Sequence, residues 1–154
     1  MYNAAVYKGS FTWSWNDLSA SSVATFGSNT LFRFNAVKLE ALSCVDLTTG
    51  FPSNPLPGPL FLVIDELSPL SFEFVHGQPL RIIGGAQWGG GGFLITDNNL
   101  SQIKMTSDCL DFLRGTLTFR IYGGDGLPIT TTAVSYKAAT VSFWEVTKNK
   151  SSTS

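Results

Sequence analysis

The chain holds one histidine, His76, so a Ser-His-Asp or Cys-His site would have to pass through it. It stands in Val75-His76-Gly77-Gln78, at a turn before a strand, and a lone histidine is more often a surface or hydrogen-bonded residue than a catalyst. A cupin-type metal centre needs several histidines and is excluded, and neither Cys44 nor Cys109 has a Cys or His at zinc spacing. Close acidic pairs occur at Asp65-Glu66 and at Asp108 with Asp111. Two carboxylates flanking a sugar bond would suit a glycosidase. Strand-end and cap duties account for these acids more simply. Residues 89–92 are four glycines with no Lys-Ser/Thr after them, so they are not a phosphate loop. Gly123-Gly124-Asp125-Gly126 is too short for an EF-hand calcium loop. Both read as turns, and adjacent glycines also suit close subunit contact. Trp13, Trp15, Trp88 and Trp144 are able to stack on sugar rings, which makes a carbohydrate-binding, lectin-like β-sandwich the alternative function. Scattered tryptophans in such a fold more often fill a core or an interface. We expect no enzyme, no resident cofactor and no metal site.

The elements that would carry these residues are strands. After Gly115, Leu117, Phe119 and Ile121 fall on one face and Thr116, Thr118 and Arg120 on the other, the period of a half-buried strand. Residues 139–146 form a second such run, in which Trp144 and Val146 break the alternation and suggest cover on both faces. Phe11, Trp13 and Trp15 alternate with Thr12 and Ser14. Residues 19–30 read as a loop or short helix. Residues 34–45 read as a strand with Val37, Leu39, Ala41 and Ser43 on one face and Lys38, Glu40 and Leu42 on the other. The proline-rich stretch 47–59 is a surface loop. Residues 60–64, Leu-Phe-Leu-Val-Ile, are apolar throughout and predict a strand buried on both faces. Shorter β-like runs lie at 71–75, 80–83 and 93–96, and residues 100–113 are the one helical candidate. About eight short strands with frequent turn signals fit a sandwich or jelly roll.

The chain has 154 residues, 10 Lys+Arg, 11 Asp+Glu and 14% charged residues. Such a length suits one domain with its own core. So few charges leave much of the surface uncharged and suited to meeting a subunit or ligand. The Lys/Arg content has no cluster beyond Lys148-Asn149-Lys150, which argues against a protein that grips nucleic acid mainly by charge. We expect Cys44 and Cys109 to be buried free thiols in a reducing compartment. No apolar run approaches the ~18 residues of a membrane span.

One stretch, Val75-His76-Gly77-Gln78-Pro79-Leu80-Arg81-Ile82-Ile83-Gly84-Gly85, resembles a segment of tymovirus coat proteins, in which a Gly-Gln pair leads into a short apolar strand ending in Gly-Gly. Residues 31–42 resemble that family's approach to strand C, residues 60–64 with Ser68-Pro69 its strand D and exit, residues 108–121 its strand H, and residues 139–146 its strand I. The resemblance spans residues 10–154. It implies an eight-stranded antiparallel jelly-roll β-sandwich that self-assembles into a small non-enveloped icosahedral capsid around an RNA genome. The organisation it implies is an N-terminal arm at 1–8, a capsid domain at 9–148 and a flexible tail at 149–154. Localisation would be the virion, with host cytoplasm during assembly. In the family, histidines near the start of strand C and the end of strand I face the RNA, and here Asn35 and Lys148 stand in those places, so a histidine pH switch does not carry over. RNA contact is expected to be weak and non-specific, with Lys150 a further candidate, and packaged phosphates would need polyamines or divalent cations. Partners would be further copies of this chain, and a second coat protein is compatible. Expected contact regions are the arm, residues 47–59 and residues 84–92, with Tyr7, Phe51, Trp88 and Gly89 as contact residues.

Overall fold

The computed structural model describes residues 3–15, 21–25, 32–46, 59–88, 94–96, 102–113, 115–128 and 135–148. These residues are overwhelmingly strand: β1 (Asn3–Trp15), β2 (Ser21–Thr25), β3 (Arg33–Phe34), β4 (Ala36–Asp46), β5 (Pro59–Ile64), β6 (Glu73–Val75), β7 (Gln78–Leu80), β8 (Gly84–Trp88), β9 (Leu94–Thr96), β10 (Lys104–Met105), β11 (Asp111–Phe112), β12 (Thr116–Gly123) and β13 (Ser135–Lys148). A single 3-10 turn, Asp65–Leu67, follows β5. Every strand pair is antiparallel.

The pairing is nested. β1 pairs with β13, β2 with β12, β3 with β11, β4 with β10, β5 with β8 and β6 with β7. Apart from β9, which pairs with β8 alone, the described strands thus form one antiparallel ribbon folded back at β6–β7. The ribbon then rolls so that β13 also pairs with β4 and β12 with β5. Two main sheets result, ordered β1-β13-β4-β10 and β2-β12-β5-β8-β9. They face each other across one apolar core. Val37, Leu39, Val141 and Phe143 come from the first sheet, and Leu62, Ile64, Phe119 and Ile121 from the second, all at most 1% exposed. Phe119 meets Trp15 at 5.7 Å between ring centroids, and Phe143 meets Phe34 edge-on at 4.9 Å. Such aromatic pairs add to the burial term.

β5 is buried on both faces, as its unbroken apolar run implies. Leu60, Leu62 and Ile64 enter the main core, while Phe61 and Val63 enter a second cluster with Val75 and Ile82. That second cluster lies beneath a flap carrying the β6–β7 hairpin.

Two bulges reset the alternation. In β1 the register slips between Tyr7 and Gly9, leaving Lys8 as the extra residue; beyond it Phe11 and Trp13 pack against the core and Trp15 enters it. In β4, Leu39 faces Val141 and Ala41 faces Thr140, so Glu40 is extra and Leu42 is buried while Ala41 is exposed. Strict alternation from Val37 predicted the reverse. One inserted residue moves every later side chain to the opposite face.

Other expectations are corrected. Ser21–Thr25 is a strand, with Ala24 fully buried against β12. Residues 102–113, within the stretch expected as a helix, contain none; β10 and β11 each pair with an earlier strand, and of Ile103, Cys109, Leu110 and Leu113, which a helix would have set in one weak apolar stripe, only Leu113 is buried. Residues 3–8, expected as an arm, are the first half of β1. Of the strand expected at 80–83, only Leu80 is in a strand, as the last residue of β7, and residues 81–83 connect β7 to β8. Cys109 is an exposed free thiol, and the side chain of Cys44 lies outside the described set.

Candidate functional site

The groups able to do chemistry are mostly occupied by structural bonds. His76 and Gly77 form the two-residue turn of the β6–β7 hairpin, with φ 50° and 81°. Positive φ at both positions marks the mirror-type hairpin turn whose twist suits the flanking strands. The hairpin therefore uses His76 as an exposed turn residue. Glu66 lies just beyond the end of β5, where backbone can no longer pair with β12. Its carboxylate accepts the Thr118 N–H at 2.6 Å and the Thr118 hydroxyl at 2.8 Å, so a side chain continues the ladder. Asp65 accepts two bonds from Arg120 Nε at 3.1 and 3.3 Å. Asp111 Oδ1 accepts the next backbone N–H, that of Phe112, at 2.7 Å.

A cleft of about 300 Å³ does bring one acid from each sequence pair together, Glu66 and Asp111, beside Phe34, Leu67, Thr106 and Phe112. A general acid or base needs an oxygen turned toward substrate. Here both Glu66 oxygens already hold Thr118. Among the described residues, no group of three His, Cys, Asp or Glu is placed to hold a metal ion. No helix among them is long and apolar enough to cross a membrane.

Lys104, on β10, is half-buried, and its ammonium donates to the Ile82 carbonyl at 3.1 Å. Burial pushes its pKa below the usual lysine value, partly offset by the negative charge of Glu73. It lines a groove of about 460 Å³ with Leu70, Glu73, Ile103 and Met105.

The flap is the feature that sequence reading missed. Within it Val75 is turned inward and buried, while Leu70, Phe72 and Phe74 are 49%, 46% and 70% exposed. Phe72 and Phe74 meet edge-to-face at 5.4 Å. The Arg81 guanidinium lies 5.6 Å from the Phe72 ring centre and donates to the Pro69 and Leu70 carbonyls at 2.7 and 3.2 Å. Hydrogen bonds to two carbonyls hold the arginine beneath the ring, so the exposed aromatic pair sits on a braced base. Behind it, Gly126 approaches so closely that an added Cβ would lie 2.7 Å from the Val75 carbonyl oxygen. The signal was present: Phe72-Glu73-Phe74 puts both rings on one face of a strand.

The expected site residues fare unequally. Asn35 is 5% exposed, and its amide is tied to one residue of β13. Its Nδ2 donates to the Val146 carbonyl at 3.1 Å, and its Oδ1 accepts the Val146 N–H at 2.8 Å. Its own carbonyl accepts from Thr106 N–H at 2.8 Å and its N–H donates to the Trp144 carbonyl at 3.1 Å. Asn35 is a structural clamp rather than an RNA-facing residue. Lys148 ends β13 opposite Asn3, and its side chain lies outside the described set. Lys150, Phe51 and Gly89 lie outside the described residues. Trp88 pairs with Leu94 at the end of β8, and its side chain is likewise outside the described set. Tyr7 is 54% exposed and packs edge-on against Trp144 at 5.5 Å. The proposed sugar platform loses Trp15, which is 7% exposed in the core, and Trp13, which packs on that core and donates its indole N–H to Ser22 Oγ at 3.1 Å.

No family model, curated protein or solved structure matches this chain.

Proposed function

We propose that this chain is a structural subunit of a small non-enveloped icosahedral capsid that encloses RNA, a coat protein of tymovirus-like jelly-roll type without catalysis. The observation that carries the reading is the nested pairing. An eight-stranded jelly roll is an antiparallel ribbon of four strand pairs rolled into two facing sheets. The pairs β1·β13, β2·β12, β4·β10 and β5·β8 supply four such pairs, and the sheet orders β1-β13-β4-β10 and β2-β12-β5-β8 follow from rolling them. On this reading β3·β11, β6·β7 and β9 are additions to the eight. Lettered B to I, β4 and β5 take places D and E, one later than the resemblance suggested, because β2 takes place C. In the same lettering β12 and β13 would be H and I, the places the resemblance implies.

The surface supports the same reading. It has few charges and carries a braced aromatic flap, features that suit contact with neighbouring copies. Many weak identical contacts suffice to close a symmetric shell. Phe72 and Phe74 join Tyr7, Phe51, Trp88 and Gly89 as proposed contact residues. Lys148 and Lys150 remain the proposed RNA contacts, and polyamines or divalent cations would neutralise most of the packaged phosphate.

Size-exclusion chromatography with light scattering, then negative-stain microscopy of the void fraction, tests the proposal. Sixty copies of a 16.7 kDa chain give a uniform sphere of about 1 MDa, and a larger shell is heavier in proportion. A clean monomer near 16.7 kDa across salt and pH would overturn it.

A further inference from the structure

We infer that β1 pairs antiparallel with β1 of a second copy across a two-fold axis through Ala5. β1 is an edge strand of the β1-β13-β4-β10 sheet, 13 residues long. The other main-sheet edges among the described residues are short: β10 has two residues, β9 three and β2 five. Natural proteins keep edges short, charged or covered, because an open edge offers unpaired N–H and C=O groups to another chain. The first stretch of β1, Asn3-Ala4-Ala5-Val6-Tyr7, carries no charge, and Ala4 through Tyr7 are exposed, Val6 and Tyr7 by 54% each.

Geometry selects the partner and the register. A strand turns the N–H and C=O of every second residue toward the same edge. Antiparallel self-pairing must therefore match residues of equal parity, so the two-fold axis passes through a residue and never between two. β1 pairs with β13 in two unbroken stretches divided by the bulge at Lys8, residues 9–15 and residues 3–7; the second is the one in which consecutive side chains, Ala4 through Tyr7, are all exposed. Its centre is Ala5. The register then sets Ala5 against Ala5, Ala4 against Val6 and Asn3 against Tyr7 of the second copy. Each larger side chain faces a smaller one, and no charges of like sign face each other across the ladder. Lys8 lies beyond the paired stretch, held at 3.5 Å by Glu145. Joining the two edges would make one continuous sheet through both subunits, β10-β4-β13-β1 and its two-fold copy. A five-residue ladder is far smaller than the ~1,000 Å² of a stable interface, so the contact is weak alone and acts where copies are concentrated. Two copies suffice for it, so it does not depend on the shell.

The test is cysteine crosslinking in a Cys44→Ser/Cys109→Ser background whose fold is checked by circular dichroism. Residues directly opposite lie within the Cα separation of a disulfide, whereas Ala4 and its own copy are diagonal neighbours and too far apart. Ala5→Cys should give covalent dimer at least about tenfold faster than Ala4→Cys, and a mixture of Ala4→Cys with Val6→Cys should crosslink as Ala5→Cys does. Charge variants in the native-cysteine chain check the register independently by sedimentation. Ala4→Lys/Val6→Glu should keep or strengthen association, and Ala4→Lys/Val6→Lys should lose it. Equal crosslinking at positions 4 and 5, or none at either, would overturn the inference. Uniform shells in which Ala5→Cys stays monomeric would sink this contact and leave the capsid reading standing. Covalent dimers that never grow further would do the opposite.

Discussion

Replacing Asn35 with alanine tests the clamp at the end of β13. The substitution removes two bonds, at 2.8 and 3.1 Å, from a side chain that is 5% exposed. Each hydrogen bond contributes about 1 kcal/mol net, and each buried partner left unpaired costs about 1–3 kcal/mol. Val146 is half-buried, so water recovers part of that loss. We expect a destabilisation of about 3 kcal/mol, read from the urea midpoint at matched protein concentration. For a chain of this size that corresponds to a fall in Tm of roughly 6–12 °C. Asn35→Asp sharpens the test. It keeps the acceptor for Val146 N–H but sets a carboxylate oxygen against the Val146 carbonyl. That repulsion favours the protonated carboxyl, which is able to donate, so its folded pKa lies above the unfolded value of about 3.9. The folded state then holds the proton more tightly. The variant should gain stability relative to the wild type as pH falls through the folded pKa, with the gain complete below the unfolded pKa. An Asn35→Ala variant within about 0.5 kcal/mol of the parent would refute the clamp and reopen Asn35 as a contact residue.

Glycine substitutions separate strain from collision: Gly77→Ala, at φ 81° with open space around it, should cost about 1 kcal/mol, whereas Gly126→Ala, at φ 79° and 2.7 Å from the Val75 carbonyl oxygen, should cost about 2–4 kcal/mol and speed proteolysis of the flap, with equal costs contradicting the packing described. Lys104 has a folded pKa below its unfolded value of 10.5, so the unfolded chain binds the proton more tightly and stability should rise with pH between the lowered folded pKa and 10.5. Lys104→Met should abolish that alkaline gain in pH-dependent urea unfolding while changing neutral-pH stability by no more than about 1 kcal/mol, since the lost bond to Ile82 is set against lost desolvation.

What was legible in the sequence was whatever a single strand determines for itself. The alternation of Leu117, Phe119 and Ile121 named the buried face of β12, and all three are at most 1% exposed. The unbroken apolar run at 60–64 named a strand covered twice. These are local periodicities, and burial follows from them whatever the partner. Other features needed the partner strand. Glu40 and Lys8 are extra residues only relative to β13, so the flip that buries Leu42 exists only once register is defined. β2 is Ser-Ser-Val-Ala-Thr, with too little hydrophobic pattern to declare itself, and it is a strand because β12 offers it an edge. β10 and β11 are two-residue bridges across long sequence separations, which no helical or strand period records. Asn35 is ordinary in sequence; its role lies in facing Val146, 111 residues away. Periodicity tells which side of a strand seeks the core, but only the tertiary pairing decides which strands meet, and with them which polar groups are spent and which of the described strands stands at the edge of its sheet.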